Sequence, residues 1–177
     1  MEARNAPRIR RAYFDCRFGQ LHVHSAVPPG GGFDELTTVI CLHGSGETGR
    51  VFLPVLQVLG SNRSVFAPDL PGSGESDPAP GMDFIAAGAA AVTDFIASMR
   101  IRSFDLVARA AGCEIAQRLA LNAGVAPDSG LRRVVLITDS RGGQSPAALG
   151  ARLAVTLTVA EALTSTAGNR LVEALRA

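Results

Sequence analysis

The segment FDLVARAAGCEIAQRLAL, residues 104–121, decides the fold because its hydrophobic pattern changes halfway along it. Residues 104–108 form a run of strand length that is apolar except at Asp105, and residues 111–123 place apolar side chains at helical spacing. Gly112 lies in the tight turn between them. The segment therefore predicts a strand that leads directly into a helix, a setting in which many enzymes carry a nucleophile. The residue at the apex of this turn is Ala110, which has no reacting atom.

The same alternation of strand and helix runs outward through most of the chain. Residues 8–17 and 20–27 predict two antiparallel strands, and the later predicted strands are 37–42, 64–70, 104–108 and 132–138. Helices are predicted at 50–59, 84–99 and 111–123, and two more from Pro146 onward with a break near 165–168. This order predicts an α/β three-layer sandwich with a mostly parallel sheet of about six strands.

Two parts of the chain are expected to differ in role. Residues 1–144 would form the α/β core, and residues 145–177 a C-terminal helical segment that acts as a cap or in dimerisation. If strand 132–138 ends the sheet, its apolar edge invites pairing with another chain. We therefore expect a homodimer through strand 132–138 and the C-terminal helices.

Composition excludes several classes of function. The formal net charge of +1 gives no reason to expect a nucleic acid or an anionic membrane as partner. The chain contains no lysine, which excludes Schiff-base chemistry and a P-loop. Its three cysteines, Cys16, Cys41 and Cys113, are too few and too scattered for a disulfide framework or a zinc site. With no secretory signal and no apolar run of membrane length, we expect a cytoplasmic protein without cofactor or metal.

Four loops follow the carboxyl ends of the predicted parallel strands, where such sheets bind ligands. Together with the strands before them, three of the loops lie in the stretches VICLHGSGETG (39–49), VFAPDLPGSGESD (65–77) and FDLVARAAGCEIAQRLAL (104–121), and RRVVLI (132–137) belongs to the strand before the fourth. These stretches, in this order, resemble the α/β-hydrolase family. The resemblance covers roughly residues 10–140 and implies the α/β-hydrolase fold.

The resemblance also implies a catalytic triad that this chain does not have. The family places a serine at the centre of G-x-S-x-G, then an Asp or Glu, then a histidine later in the chain. Here the corresponding turn is Ala108-Arg109-Ala110-Ala111-Gly112, with Ala110 at the serine position. All three histidines precede this turn. We therefore expect a truncated member that lacks the Ser-His-Asp triad and the last two family strands.

The backbone donors of the family's oxyanion hole do not depend on side chains. The resemblance implies that Ser45 or Gly46, together with Ala111, supplies the N–H groups, and the helix that starts at Ala111 adds its dipole. Arg109 at the tip of the turn either contacts an anionic ligand or is simply solvated. Substrate binding is thus predicted at Ser45, Gly46, Arg109, Ala110 and Ala111; the alternative is a relaxed turn with no concave site.

Other candidate residues have a structural and a functional interpretation each. His43 resembles a family residue that holds loop structure, yet it is the one histidine near the predicted pocket and a candidate for proton transfer. Asp139 is the candidate carboxylate, or else caps the next loop. Asp69 resembles the family's loop-holding aspartate. His22 and His24 share one strand face, and without an identifiable third ligand a solvated face is expected rather than a metal site.

Three functions remain open on this basis. The first is a non-hydrolytic protein that binds a small, mostly apolar molecule with a carbonyl or carboxylate group, and promotes a lyase, isomerase or cyclisation step through its oxyanion hole. The second is a catalytically inactive binding or assembly partner. The third is a hydrolase completed by another chain, which is disfavoured because Ala110 leaves no nucleophile.

Overall fold

The computed structural model describes residues 7–29, 37–125, 130–138, 154–158 and Leu175. Its strands are β1 (Arg8–Cys16), β2 (Gly19–Val27), β3 (Thr38–Leu42), β4 (Val65–Pro68), β5 (Phe104–Arg109), β6 (Leu131–Thr138) and β7 (Ala154–Thr158). A short 3-10 helix, Gly49–Phe52, leads into α1 (Leu53–Leu59), and the longer helices are α2 (Phe84–Ser98) and α3 (Gly112–Val125). The elements predicted before residue 139 are all present, with boundaries shifted by a few residues at most.

The described strands form one sheet in the order β1-β2-β4-β3-β5-β6-β7. β1 pairs antiparallel with β2, and β2 pairs antiparallel with β4. From β4 to β7 all neighbouring strands are parallel. The predicted α/β sandwich with a mostly parallel sheet is therefore confirmed.

Helices cover both faces of the sheet because side chains along the central strands alternate between them. On one face Val39, Cys41 and Val107 pack in a buried cluster that includes α1 and Leu175. On the other face Ile40 and Leu106 pack with residues of α2 and α3. Because β3, β4 and β5 are parallel, their carboxyl ends lie at one edge of the sheet, together with the loops that follow them.

The helical prediction for the C-terminal segment is wrong at residues 154–158. These residues form β7, which pairs in parallel with β6 from Val134↔Ala154 to Thr138↔Thr158. The sequence AVTLT alternates apolar and β-branched polar side chains, and strand pairing outweighs the helical spacing of the leucines around it. β7 thus belongs to the described sheet, which continues beyond strand 132–138, where it was expected to end.

The pairing of β6 with β7 also corrects the edge-strand argument for a dimer. Strand 132–138 is an interior strand of the described sheet, with β5 on one side and β7 on the other. Its apolar pattern is that of a strand covered on both faces, which is what the structure gives it. The homodimer and the division at residue 144 both stay predictions. The predicted helices outside 154–158 and Leu175, and Asp139, lie outside the described residues.

Within the part of the chain that the structure describes, no helix combines the length and the apolar character needed to cross a bilayer.

Candidate active site

The turn between β5 and α3 keeps a left-handed backbone at its apex. Ala110 has φ +47°, and Arg100 is the other non-glycine residue with positive φ among those described. This conformation costs an L-residue other than glycine roughly 1–2 kcal/mol. The turn is therefore not relaxed, although alanine stands where the family carries its serine. Ala110 is exposed, so the apex opens to the surface.

Gly112 fixes the turn against the end of β3. A Cβ at Gly112 would lie 2.3 Å from the carbonyl oxygen of Leu42 and 2.6 Å from that of His43. No side chain fits in that space, so glycine lets the first turn of α3 contact the backbone of the neighbouring strand. This close approach brings the Ala110 turn beside the loop of residues 43–49.

The two loops meet around Gly44. The position that a Cβ on Gly44 would take lies 2.7 Å from Cβ of Ala110, 3.1 Å from Oε2 of Glu47 and 3.6 Å from the backbone nitrogen of Ala111. A carboxylate, a backbone N–H and the empty position of the family nucleophile thus converge on one small region. The structure therefore brings Ala110 and Ala111 together with the loop that carries Ser45 and Gly46, both of which are exposed.

Glu47 links this region electrostatically to Arg109. The backbone N–H of Gly44 donates to Oε2 of Glu47 at 2.9 Å, and Nη2 of Arg109 lies 3.2 Å from Oε1 of the same carboxylate. The Arg109 and Glu47 side chains are 22% and 25% exposed, so the pair is partly shielded from water. Arg109 is therefore neither free nor simply solvated; its guanidinium is held at the rim of the turn.

Sequence reasoning missed Glu47. It lies in one of the four loops that the topology marks as ligand-binding, and it is the single acidic residue between 43 and 49. An acidic residue in one such loop and an arginine at the tip of the next are the signal that points to the pair. The grooves described along α2 are lined by other residues and include none of this region.

His43 is buried and both of its ring nitrogens are engaged. Nδ1 contacts the carbonyl oxygen of Gly44 at 2.7 Å, and Nε2 accepts the backbone N–H of Leu70 at 2.8 Å. Burial lowers the pKa of His43, so the neutral ring with its proton on Nδ1 fits both contacts. This geometry supports the loop-holding role and leaves neither nitrogen free for proton transfer at the turn.

Asp69 holds the loop after β4, as the resemblance implies. Its carboxylate accepts the backbone N–H of Gly49 at 2.7 Å and that of Glu75 at 3.2 Å, and contacts Nδ1 of His22 at 2.9 Å. Desolvation raises the pKa of Asp69, but the bonds from His22, Gly49 and Glu75 together outweigh it and lower the pKa overall.

The prediction of a solvated face for His22 and His24 is wrong. Both side chains are buried, and both lie against the carboxylate of Asp69. The strand pattern correctly placed the two rings on one face, but it did not show that the loop after β4 covers that face. Sequence spacing carries no information on this contact because 45 or more residues separate Asp69 from either histidine.

Comparison with known proteins agrees with the fold. The sequence matches the model of the α/β hydrolase family over residues 39–175. The match spans most of the chain, and the chain therefore belongs to the α/β-hydrolase family. No curated protein sequence matches it.

Solved structures of three enzymes are similar to this chain. An epoxide hydrolase from Vigna radiata is 21% identical with a TM-score of 0.61, over 73% of this chain and 38% of that one. An epoxide hydrolase from an endophytic Streptomyces is 20% identical with a TM-score of 0.59, over 73% and 37%. The N-acyl homoserine lactonase AidH is 22% identical with a TM-score of 0.59, over 73% and 44%. At such identities the likeness shows the fold, and this chain spans less than half the length of these enzymes.

Proposed function

We propose that this member of the family binds a small, mostly apolar molecule bearing a carbonyl or carboxylate group at the turn of residues 109–111, and does not hydrolyse it. Any reaction promoted there is non-hydrolytic: a lyase, isomerase or cyclisation step. The proposal rests on one observation, the left-handed turn at Ala110 that persists without a nucleophile beside a paired arginine.

Each group of the site has a distinct role in this proposal. The N–H of Ala111, at the N-terminus of α3, and one N–H from Ser45 or Gly46 donate to the ligand oxygen. The alanine side chain at position 110 leaves room for a ligand atom where the family has its serine hydroxyl. Arg109 contributes the positive charge that a carboxylate requires.

Glu47 competes with an anionic ligand. Its carboxylate already holds the Arg109 guanidinium and the N–H of Gly44. A ligand carboxylate must therefore displace Glu47 to reach the guanidinium, whereas a neutral ketone need not. Removing the charge of Arg109 should therefore weaken the binding of a carboxylate, and removing the charge of Glu47 should strengthen it.

Thermal stabilisation by matched probes tests the proposal, because a ligand that binds the folded state raises the melting temperature. Hexanoate and 2-heptanone are expected to stabilise the chain, and hexanol, which has no carbonyl oxygen, is not. Arg109→Gln should weaken hexanoate binding about tenfold or more, since a hydrogen bond to a charged group contributes roughly 1.5–3 kcal/mol. Glu47→Gln should strengthen it.

A matched control and a blocking variant complete the design. Arg118→Gln makes the same charge change on an exposed residue of α3 and should leave hexanoate binding unchanged. Ala111→Phe should abolish binding of both carbonyl probes by filling the site. Equal stabilisation by hexanol, or equal losses in the Arg109 and Arg118 variants, would refute the proposal. A lack of response to every probe would favour a binding or assembly partner without a small-molecule site.

A further inference from the structure

Three buried side chains that the proposed function does not use lie together behind the loops of the site. They are His22 and His24 on β2 and Asp69 after β4, and they are 2%, 4% and 2% exposed. Each offers one nitrogen or oxygen atom such that the three atoms lie within 4.8 Å of one another. Among the described residues, these three form the group of histidine and acidic side chains whose spacing could hold a metal ion.

His24 is the member whose contacts need an explanation. Its Nε2 atom is buried without a hydrogen-bond partner, and its nearest acidic atom, Oδ1 of Asp69, is 3.6 Å away. That separation exceeds a hydrogen bond, and leaving a buried polar atom unpaired costs roughly 1–3 kcal/mol. His22, in contrast, contacts Oδ2 of Asp69 through Nδ1 at 2.9 Å.

We propose that His22, His24 and Asp69 bind a small divalent transition-metal ion, and that Zn²⁺ fits the donors best. Residues at i and i+2 on a strand point their side chains to the same face, which is how a H-x-H pair presents two nitrogens to one ion. With Zn–N and Zn–O bonds of about 2.0–2.2 Å, neighbouring ligands of a tetrahedral site lie about 3.4 Å apart. The 3.6 Å gap between His24 and Asp69 matches this spacing.

The protonation of His24 and the groups that lie beside His22 are consistent with metal binding. Burial lowers the pKa of His24, so its imidazole is neutral at pH 7, the form that binds metals. For His22 to bind the ion through Nδ1, the proton of its neutral ring would have to lie on Nε2. Its other nitrogen, Nε2, lies 4.0 Å from Oε2 of Glu75, which in turn accepts the hydroxyl of Tyr13 at 2.5 Å. An outer carboxylate in this position orients a metal-bound histidine.

An ion at this site would tie together the parts of the fold that frame the turn at Ala110. Asp69 accepts the N–H of Gly49 in one loop and of Glu75 in the other, while both histidines belong to β2. The ion would therefore fix the loops of residues 43–49 and 69–77 against the sheet. This role is independent of whether the turn binds a carbonyl compound.

Titration with Zn²⁺ after EDTA treatment and desalting tests the proposal. The chain is expected to bind one Zn²⁺ per molecule by calorimetry and to melt at a higher temperature with it. His24→Leu should abolish both effects, and it removes no hydrogen bond of Nε2 because that atom has none. Glu75→Gln should weaken binding by about 10–100-fold, the usual effect of an outer ligand partner.

Controls separate this site from thiol binding and from misfolding. The double variant Cys16→Ser, Cys113→Ser removes the two half-buried thiols and should bind Zn²⁺ as the native chain does. If His24→Leu does not fold, nitrogen NMR of the native chain should show Zn²⁺-dependent shifts of the His22 and His24 rings. Absence of Zn²⁺ binding, its loss in the cysteine variant, or ring shifts confined to His43 would overturn the proposal.

Discussion

Ala110 has a strained left-handed backbone, although it carries no nucleophile that would require this conformation. Its φ of +47° is an angle that glycine adopts freely and alanine does not. The conformation is held from outside the residue, because Gly112 packs against the carbonyls at the end of β3 and α3 starts immediately after the turn. The surrounding fold thus imposes the shape of the turn, and the residue at its apex adapts.

Replacing Ala110 with glycine should therefore stabilise the protein. Relief of the left-handed strain is worth about 1–2 kcal/mol, and the extra entropy of unfolded glycine removes about 0.5–1 kcal/mol. The free energy of unfolding measured in urea should rise by about 0.5–1 kcal/mol. Ala97→Gly, on the exposed face of α2, is the control and should lower it by about 1 kcal/mol. A loss of similar size in both variants would contradict strain at Ala110.

Asp105 is a second residue in an unfavourable environment, because its burial disfavours the charged form of its carboxyl group. It lies fully buried on β5, and neither carboxylate oxygen has a hydrogen-bond partner. Burial raises the pKa of Asp105, and the positive charges of Arg132, Arg133 and Arg63 oppose this without cancelling it. The apolar pattern of the strand gave no sign of the effect, because it depends on neighbours from other strands and loops.

This residue should make stability depend on pH in the direction opposite to most aspartates. Because the pKa is raised in the folded state, the folded protein holds the proton more tightly than the unfolded chain does. Stability from this group is therefore present at acidic pH and lost as pH rises from about 3.8 through the raised value. Asp105→Asn removes the charge, so it should raise the melting temperature at pH 7 and make it less dependent on pH above 4. A lower melting temperature at pH 7 would contradict this account.

At the scale of elements, the sequence predicted best where local pattern and tertiary pairing agree. The strands around β5 and the helices α2 and α3 have apolar periodicities that match the faces they bury, so their order and type were predictable. The end of α2 needed no glycine, because Arg100 takes the left-handed position and Ile101 donates to the carbonyl of Ile96. This helix end moves the boundary of α2 by one residue from the predicted one, and it does not change the order of the elements.

Strand β7 shows where local pattern fails. Its five residues lie among alanines and leucines whose helical spacing dominates a reading of the sequence. Their strand conformation comes from hydrogen bonds to β6, a partner about 20 residues away in the chain. Pairing of this kind depends on the rest of the sheet, so the sequence immediately around residues 154–158 does not predict it.

At the scale of the whole molecule, the position of the loops around the turn was predictable, and the charged contacts beside it were not. Parallel strands end at one edge of the sheet, so the loops that frame the turn could be identified from the order of elements alone. The Glu47–Arg109 pair and the contacts of His22 and His24 with Asp69 join residues that are 45 or more positions apart in the sequence. Only the folded arrangement brings these charges together.

Restoring a serine at position 110 tests how far this architecture is from hydrolysis. A serine hydroxyl needs a base with a free ring nitrogen, yet both nitrogens of His43 are bound to backbone groups, and His22 and His24 lie buried against Asp69. The 177-residue chain and its Ala110→Ser variant should therefore both fail to release nitrophenol from p-nitrophenyl acetate above the buffer rate.

The informative readout is the pre-steady-state burst, because an acylated serine releases one nitrophenolate per molecule even when turnover is slow. A stoichiometric burst in Ala110→Ser that disappears on further mutation of His43 to alanine would mean that His43 leaves its backbone contacts and acts as the base. Without a burst, the serine at position 110 would stand in a turn that the fold keeps apart from all three histidines, so the side chain at position 110 is not by itself what prevents nucleophilic attack.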